Sequence, residues 1–365
     1  VKRFCISFLS ACSAWSGALA EDWTLALPGW QYEFPRDHHA HPDFKTEWWY
    51  FTGNLTTADG RDLGYQLTFF RQGVQRGGRA ESRFATADIK LAHFAVSDLA
   101  GETFIHGQKV SRGSFGEAGF NDGDRLAWID DWEAGMAEGG RFRLRANYEG
   151  ASIDLLLTPR KGPVLHGKDG VSQKSAGEGR ASHYYSLTRL ETAGTVKVGG
   201  KSFEVKGWSW FDQEWATNQL TEEQTGWDWF SLQFEDGTEL MLFQIRLKDG
   251  GRDGFSHGTF VHADGSTTSI TNEDFALKGG RKWRSQKTGG EYPVEWKIAI
   301  PKLSLDLEVR ARMNNQELEL NPITYWEGSI AASGRNNGVP VSGRGYLEMT
   351  GYAGGLVGLQ APETR

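Results

Sequence analysis

Cysteine is nearly missing from this chain. Its 365 residues include two, Cys5 and Cys12, so beyond residue 12 no disulfide, thiol nucleophile or cysteine-ligated metal can form. Excess positive charge is missing too: Lys+Arg 40 against Asp+Glu 47 gives −7, which argues against a nucleic-acid partner because nothing is in surplus to displace phosphate counterions. Although 47 residues are glycine, they follow no three-residue period, which excludes a collagen-like chain. No P-loop, no H-E-x-x-H and no G-x-G-x-x-G opening a helix occurs. Gly254-Phe255-Ser256-His257-Gly258 spells G-x-S-x-G, but no helical pattern follows it, as a nucleophile elbow requires, and it reads as part of a hairpin. Sustained helical periodicity is also lacking. What remains is a globular composition with 38% hydrophobic and 24% charged residues, neither disordered nor membrane-spanning.

The first twenty residues read as a signal peptide: Lys2 and Arg3, an apolar run from Phe4, then Ala18-Leu19-Ala20 as the cleavage site. Export to the periplasm or beyond is the expectation. Leu9-Ser10-Ala11-Cys12 offers a second reading, a lipid anchor on Cys12.

After the leader, short β-rich runs are punctuated by D-G, G-G and N-G turns, so an all-β protein is expected. The runs repeat. Trp48 to Leu55, Asp59-Gly60 and Leu63 to Arg71 match Trp227 to Phe234, Asp236-Gly237 and Leu240 to Arg246. Further on, Ser152-Ile153-Asp154-Leu155 matches Ser304-Leu305-Asp306-Leu307, and Gly207-Trp208 matches Gly345-Tyr346. A unit this long is no solenoid repeat, so two tandem antiparallel β-barrel domains are expected, 21–218 and 219–365, with the seam near Thr217 to Thr225.

Tryptophan is unusually frequent, 15 in all. Trp208, Trp210, Trp215, Trp227 and Trp229 crowd the seam, where ligand clefts preferentially form. Trp is bulky and amphipathic and lines apolar pockets as readily as it fills cores. Three polar groupings accompany these rings. His38, His39 and His41, followed by Glu47 before Trp48 and Trp49, suit a pocket rim, a loop anchor or a metal, although a metal needs a fourth ligand and a second shell that sequence alone does not reveal. Asp212 and Glu214, two apart between Trp210 and Trp215, share one strand face and suit paired-carboxylate chemistry or solvent contact. Tyr325-Trp326-Glu327, with Glu348 beyond, places carboxylates among rings that would raise their pKa, or in a strand-end ion pair. No cofactor or metal is indicated.

The blocks Phe34 to Leu55, Gly226 to Gln233 and Gly343 to Tyr352 resemble the AttH family, which is related to carotenoid 1,2-hydratases. The resemblance runs over nearly all of the chain after the leader. It implies two calycin, or lipocalin-like, barrels, a hydrophobic or lipid-like ligand and an association with ABC-type export permeases. Two functions follow as expectations. The first is an exported protein that binds such a ligand in a Trp-rich cleft between the barrels, serving lipid metabolism or a permease. The second is an acid-catalysed hydratase or isomerase for an isoprenoid or polyene, with Asp212, Glu214 and Asp228 as acids. In either case His38, His41, Glu47, Trp48, Trp49, Trp210, Trp215, Trp227, Trp229, Tyr325, Trp326 and Glu327 are the expected ligand contacts. Relatives commonly carry His where Gln213 stands in an Asp-His-Glu-Trp motif, and an amide is a poor proton shuttle.

Overall fold

The computed structural model describes residues 23–76, 86–218, 220–321 and 323–354. The expected signal segment, with Cys5 and Cys12, lies outside the described residues. Two large antiparallel sheets account for nearly all of the structure. The first contains β1 (Thr46–Thr57), β2 (Asp62–Gly73), β3 (Asp88–Asp98), β4 (Thr103–Ser111), β5 (Ala118–Asp122), β6 (Arg125–Ile129), β7 (Trp132–Ala137), β8 (Arg141–Tyr148), β9 (Ala151–Pro159), β10 (Val164–Leu165), β11 (Val171–Gln173), β12 (Ala181–Val198) and β13 (Lys201–Ala216). The second contains β14 (Gln224–Phe234), β15 (Glu239–Leu247), β16 (His257–Val261), β17 (Thr267–Ile270) and β18 (Ala276–Gly279), then, beyond a separate ribbon of β19 (Lys282–Arg284) and β20 (Glu291–Pro293), β21 (Glu295–Ile300), β22 (Leu305–Ala311), β23 (Glu317–Glu319), β24 (Thr324–Asn336) and β25 (Val339–Thr350).

Strand order shows what the sequence repeat means. The first sheet runs β4-β3-β2-β1-β13-β12-β9-β8-β7-β6-β5, and the second runs β17-β16-β15-β14-β25-β24-β22-β21-β18. Position by position the second copies the first, with β14 standing for β1 and β25 for β13. The first sheet curls until β3 and β4 lie against β6 and β8, nearly closing a barrel, while the second curves through half of one. This is the lipocalin-like, all-β architecture expected from the sequence. The repeated Gly207 and Gly345 have a steric reason. A Cβ on Gly207 would strike the backbone of Asn54 on β1, and one on Gly345 the backbone of Ser231 on β14, so each sheet needs glycine where two central strands approach closely.

Alternation along the strands builds four apolar clusters rather than two, the smallest around Ala95, Leu318 and Tyr325. Trp49, Phe51, Leu55, Phe211 and Trp215 point into the first barrel, and Phe230, Leu232, Trp326 and Leu347 into the second. The opposite faces of the same central strands meet each other, so Tyr50, Tyr184, Trp210, Trp229, Phe243 and Tyr346 pack in a seam between the sheets. Polar contacts fasten it. Glu239 of β15, fully buried, holds Lys161 of the β9–β10 connection, its Nζ at 2.7 Å, and Arg189 of β12, and Asn54 Nδ2 donates to Gly345 O at 3.1 Å.

Candidate functional site

Within the seam is an apolar-walled cavity that opens to solvent. Both sheets line it: Trp48, Tyr50, Phe70, His93, Tyr184, Asp212 and Glu214 from the first, Trp227, Trp229, Phe243, Tyr325 and Glu348 from the second. The residues that point here are the ones alternation turned away from the barrel interiors.

Asp212 is nearly fully buried. Tyr184 Oη donates to its Oδ2 at 2.6 Å, Trp210 Nε1 to its Oδ1 at 2.5 Å, and the Ser186 hydroxyl also donates to Oδ1. Burial pushes its pKa up to about 7, even though these three donors pull the other way. Trp229 Nε1 donates to Tyr184 Oη at 3.1 Å, so an indole of the second sheet steadies a donor to the acid in the first. Glu214, two residues on, is ion-paired to Lys174 at 3.0 Å and accepts the Ser182 hydroxyl. The Lys174 ammonium also sits 4.4 Å from the Phe243 ring centroid, within cation–π range.

Across the cavity, burial raises the pKa of Glu348 to about 8. A hydrogen bond from Trp227 opposes the rise, and the charges of Asp212 and Glu214 add to it. Below it Glu327, fully buried, accepts the Tyr50 hydroxyl on Oε1 at 2.5 Å. His93 Nδ1 lies 2.8 Å from the Tyr325 hydroxyl, and burial depresses this imidazole to about 3, so it is neutral. Near neutral pH the cavity therefore holds two carboxyl groups able both to give and to take a proton, among aromatic faces that stabilise positive charge.

Of the residues expected from the sequence, Trp48, Trp227, Trp229, Tyr325, Asp212 and Glu214 line this cavity, Trp210 backs Asp212, and Glu327 lies beneath Glu348. The structure takes the others elsewhere. Trp49 and Trp215 fill the first barrel and Trp326 the second, because odd and even strand positions face opposite ways. His38, in the short 3-10 turn Arg36–His38, has its Nδ1 2.6 Å from the Tyr185 hydroxyl. His41 stacks on Trp215 at 3.7 Å and contacts Glu47 Oε1 through Nδ1 at 2.6 Å. Glu47 also faces Arg71 at 3.4 Å and accepts from Gln213 Nε2 at 3.0 Å. This loop is thus an ion-paired plug at the first barrel's end, and Gln213, on the face of β13 opposite Asp212, belongs to it. Asp228 lies on the face of β14 opposite Trp227 and Trp229, with Arg246 at 3.3 Å and the Tyr352 hydroxyl donating at 2.9 Å. Ser256 sits in a turn before β16, its hydroxyl donating to Asp253 O at 2.7 Å. Among the described residues no group of three or more His, Cys, Asp or Glu is placed to hold a metal ion.

Tyr50, Tyr184, Lys174 and His93 were not legible as site residues. Tyr50 and Asp212 are partners in the β1/β13 register, and Ser186 and Asp212 in the β12/β13 register, relations that only strand pairing creates.

Comparison with known proteins gives the lineage. The model of the family described as AttH-like matches residues 25–352. A crystal structure described as an AttH from Nitrosomonas europaea superposes with a TM-score of 0.81 at 35% identity, covering 90% of this chain and 99% of that one. Kievitone hydratase from Nectria haematococca shares the fold, with a TM-score of 0.70 at 17% identity over 92% of this chain and 97% of that one. The dehydratase asqC of Emericella nidulans is 23% identical over 241 residues, 60% of this chain, which spans 66% of that protein's length. With a family match over almost the whole described fold and a solved relative above 30% identity, the chain belongs to the AttH-like family.

Proposed function

We propose that the protein is an acid–base catalyst that adds water to, or removes it from, a bulky apolar substrate held in the seam cavity. One observation carries the reading: Asp212 and Glu348, raised to about 7 and about 8, open from opposite sheets into one aromatic-walled cavity. Hydration of an alkene needs a neutral acid to protonate carbon, a base to take a proton from water, and π-faces to stabilise the cation between these steps. Dehydration uses the same groups in reverse. Acids whose pKa lies near the working pH are suited to both directions. The likeness to a hydratase and a dehydratase supports this chemistry over simple carriage of a lipid-like ligand.

The test uses the full chain with kievitone and with a set of isoprenoid alkenes in ¹⁸O-water, with products read by mass spectrometry. Enzymatic ¹⁸O incorporation is expected. Asp212→Asn should cost about 10²–10⁴-fold in turnover while quenching of the seam tryptophans by bound substrate persists. A carrier gives the reverse result, with saturable binding, no ¹⁸O in any product, and indifference to the Asn substitution.

A further inference from the structure

Glu327 is a buried carboxyl with an unusual pair of oxygens. Oε1 accepts the Tyr50 hydroxyl, whereas Oε2 is buried without a hydrogen-bond partner among the described residues. An orphaned carboxylate oxygen at zero accessibility is costly. Glu327 sits directly opposite Glu348 in the β24/β25 register, and directly opposed residues on antiparallel strands face the same side with Cβ atoms about 4.5–5.5 Å apart. Two carboxyls so placed cannot both ionise at modest cost.

We propose that Glu327 and Glu348 form a carboxyl dyad that holds two protons at rest and one after Glu348 ionises, the remaining proton being shared through Glu327 Oε2, with Glu327 as the positioning residue and Glu348 as the member that meets the substrate. The proton on Oε2 gives the orphaned oxygen its role: it becomes a donor, and Glu348 is the carboxyl opposite it in the register. When Glu348 passes its own proton to the substrate, the Glu327 O–H is in place to hydrogen-bond the new carboxylate, so one negative charge is spread over two groups instead of standing alone in an apolar cavity. The Tyr50 hydroxyl fixes the other oxygen, and because Tyr50 belongs to β1 the dyad is oriented across the seam. The catalytic consequence rests on the hydratase reading, whereas the coupled titration of the two carboxyls is a property of the protein without substrate.

The titratable groups facing the dyad are Asp212 and Glu214 of β13, Tyr50 of β1, Tyr325 of β24 and Tyr346 of β25. Burial and the Glu348 charge hold Glu327 well above the usual carboxylate range, and the Tyr50 bond lowers it.

The experiment is a pH titration of the full chain with ¹³C-labelled glutamate carboxyls, the two resonances being assigned from Glu327→Gln and Glu348→Gln. In the wild type both should move together through one shared step. In Glu327→Gln, Glu348 should titrate alone. Tyr50→Phe, which deletes a single oxygen and keeps the ring, should shift the shared step upward by about one pH unit. If Glu348 titrates while Glu327 stays silent, or if Tyr50→Phe leaves the step in place, the dyad is overturned. A shared step in a protein that turns over no alkene or alcohol would sustain the dyad and defeat the hydratase reading. Turnover with independent titrations would do the opposite.

Discussion

The chain buries two groups of acids, and they differ in whether their charge is matched. In the plug at the first barrel's end, Glu47 faces His41 and Arg71, and Asp37 meets Arg36 and His41. Burial alone would raise both carboxyls, but these partners hold Asp37 and Glu47 below their ordinary values and His41 above its own. In the seam, Asp212 has hydroxyl and indole donors and Glu348 an indole donor, neither has a cation partner among the described residues, and burial wins. Matched charge gives a fixed ion network; unmatched charge gives groups whose proton can leave. Burial and nearness of histidine therefore do not by themselves mark a reactive site.

Four experiments can break or sharpen this contrast. The largest effect is expected from Asp212→Asn, with turnover down about 10²–10⁴-fold and thermal stability little changed; comparable losses of stability and turnover would erase the distinction. Next, Glu47→Gln should destabilise the protein by about 3–5 kcal/mol in urea unfolding, because Arg71 and His41 are left buried without their counter-charge, while turnover per folded molecule stays near wild type. The third is a stability–pH profile. Asp212 and Glu348 bind protons more tightly when folded, so their contribution is most favourable below their unfolded values of 3.8 and 4.5 and declines as pH rises through about 7 and about 8. Glu47, held low, contributes above 4.5 and loses that contribution as pH falls through its depressed value; His41, held high, contributes below 6.5 and loses it as pH rises through its elevated one. Combining Asp212→Asn with Glu348→Gln should flatten the decline toward alkaline pH and leave the acid limb intact, as read from denaturant midpoints. The smallest effect on turnover is expected from Asp228→Asn. Its side chain faces Arg246 and Tyr352 away from the cavity, so a change within about threefold is expected; a hundredfold loss would move the acid to the other face of β14.

Much of the fold was legible because it is written twice. The D-G turns and the aromatic strands of the repeat became β1–β2 and β14–β15, and Gly207 and Gly345 became the two close approaches. The site was legible only where alternation acts within one strand: Asp212 and Glu214 fall on one face, as do Trp227 and Trp229. It misled where a sequence neighbour lies on the opposite face, as with Asp228, Trp49 and Trp326, since adjacent strand positions are separated by a whole sheet. The His38 to Glu47 segment drew attention through its density of imidazoles, but its function in the fold depends on Arg71, Trp215 and Gln213, which are distant in sequence. Glu348 could be named among the carboxylates, but its relation to Glu327 depended on the β24/β25 register.

The seam has one further consequence. Because the seam cavity is walled by the outer surfaces of two similarly ordered sheets, neither sheet contains it: one brings Asp212, the other Glu348. A chain carrying one such sheet could enclose this cavity only by pairing with a second copy, and its two walls would then be identical, whereas here they are unlike.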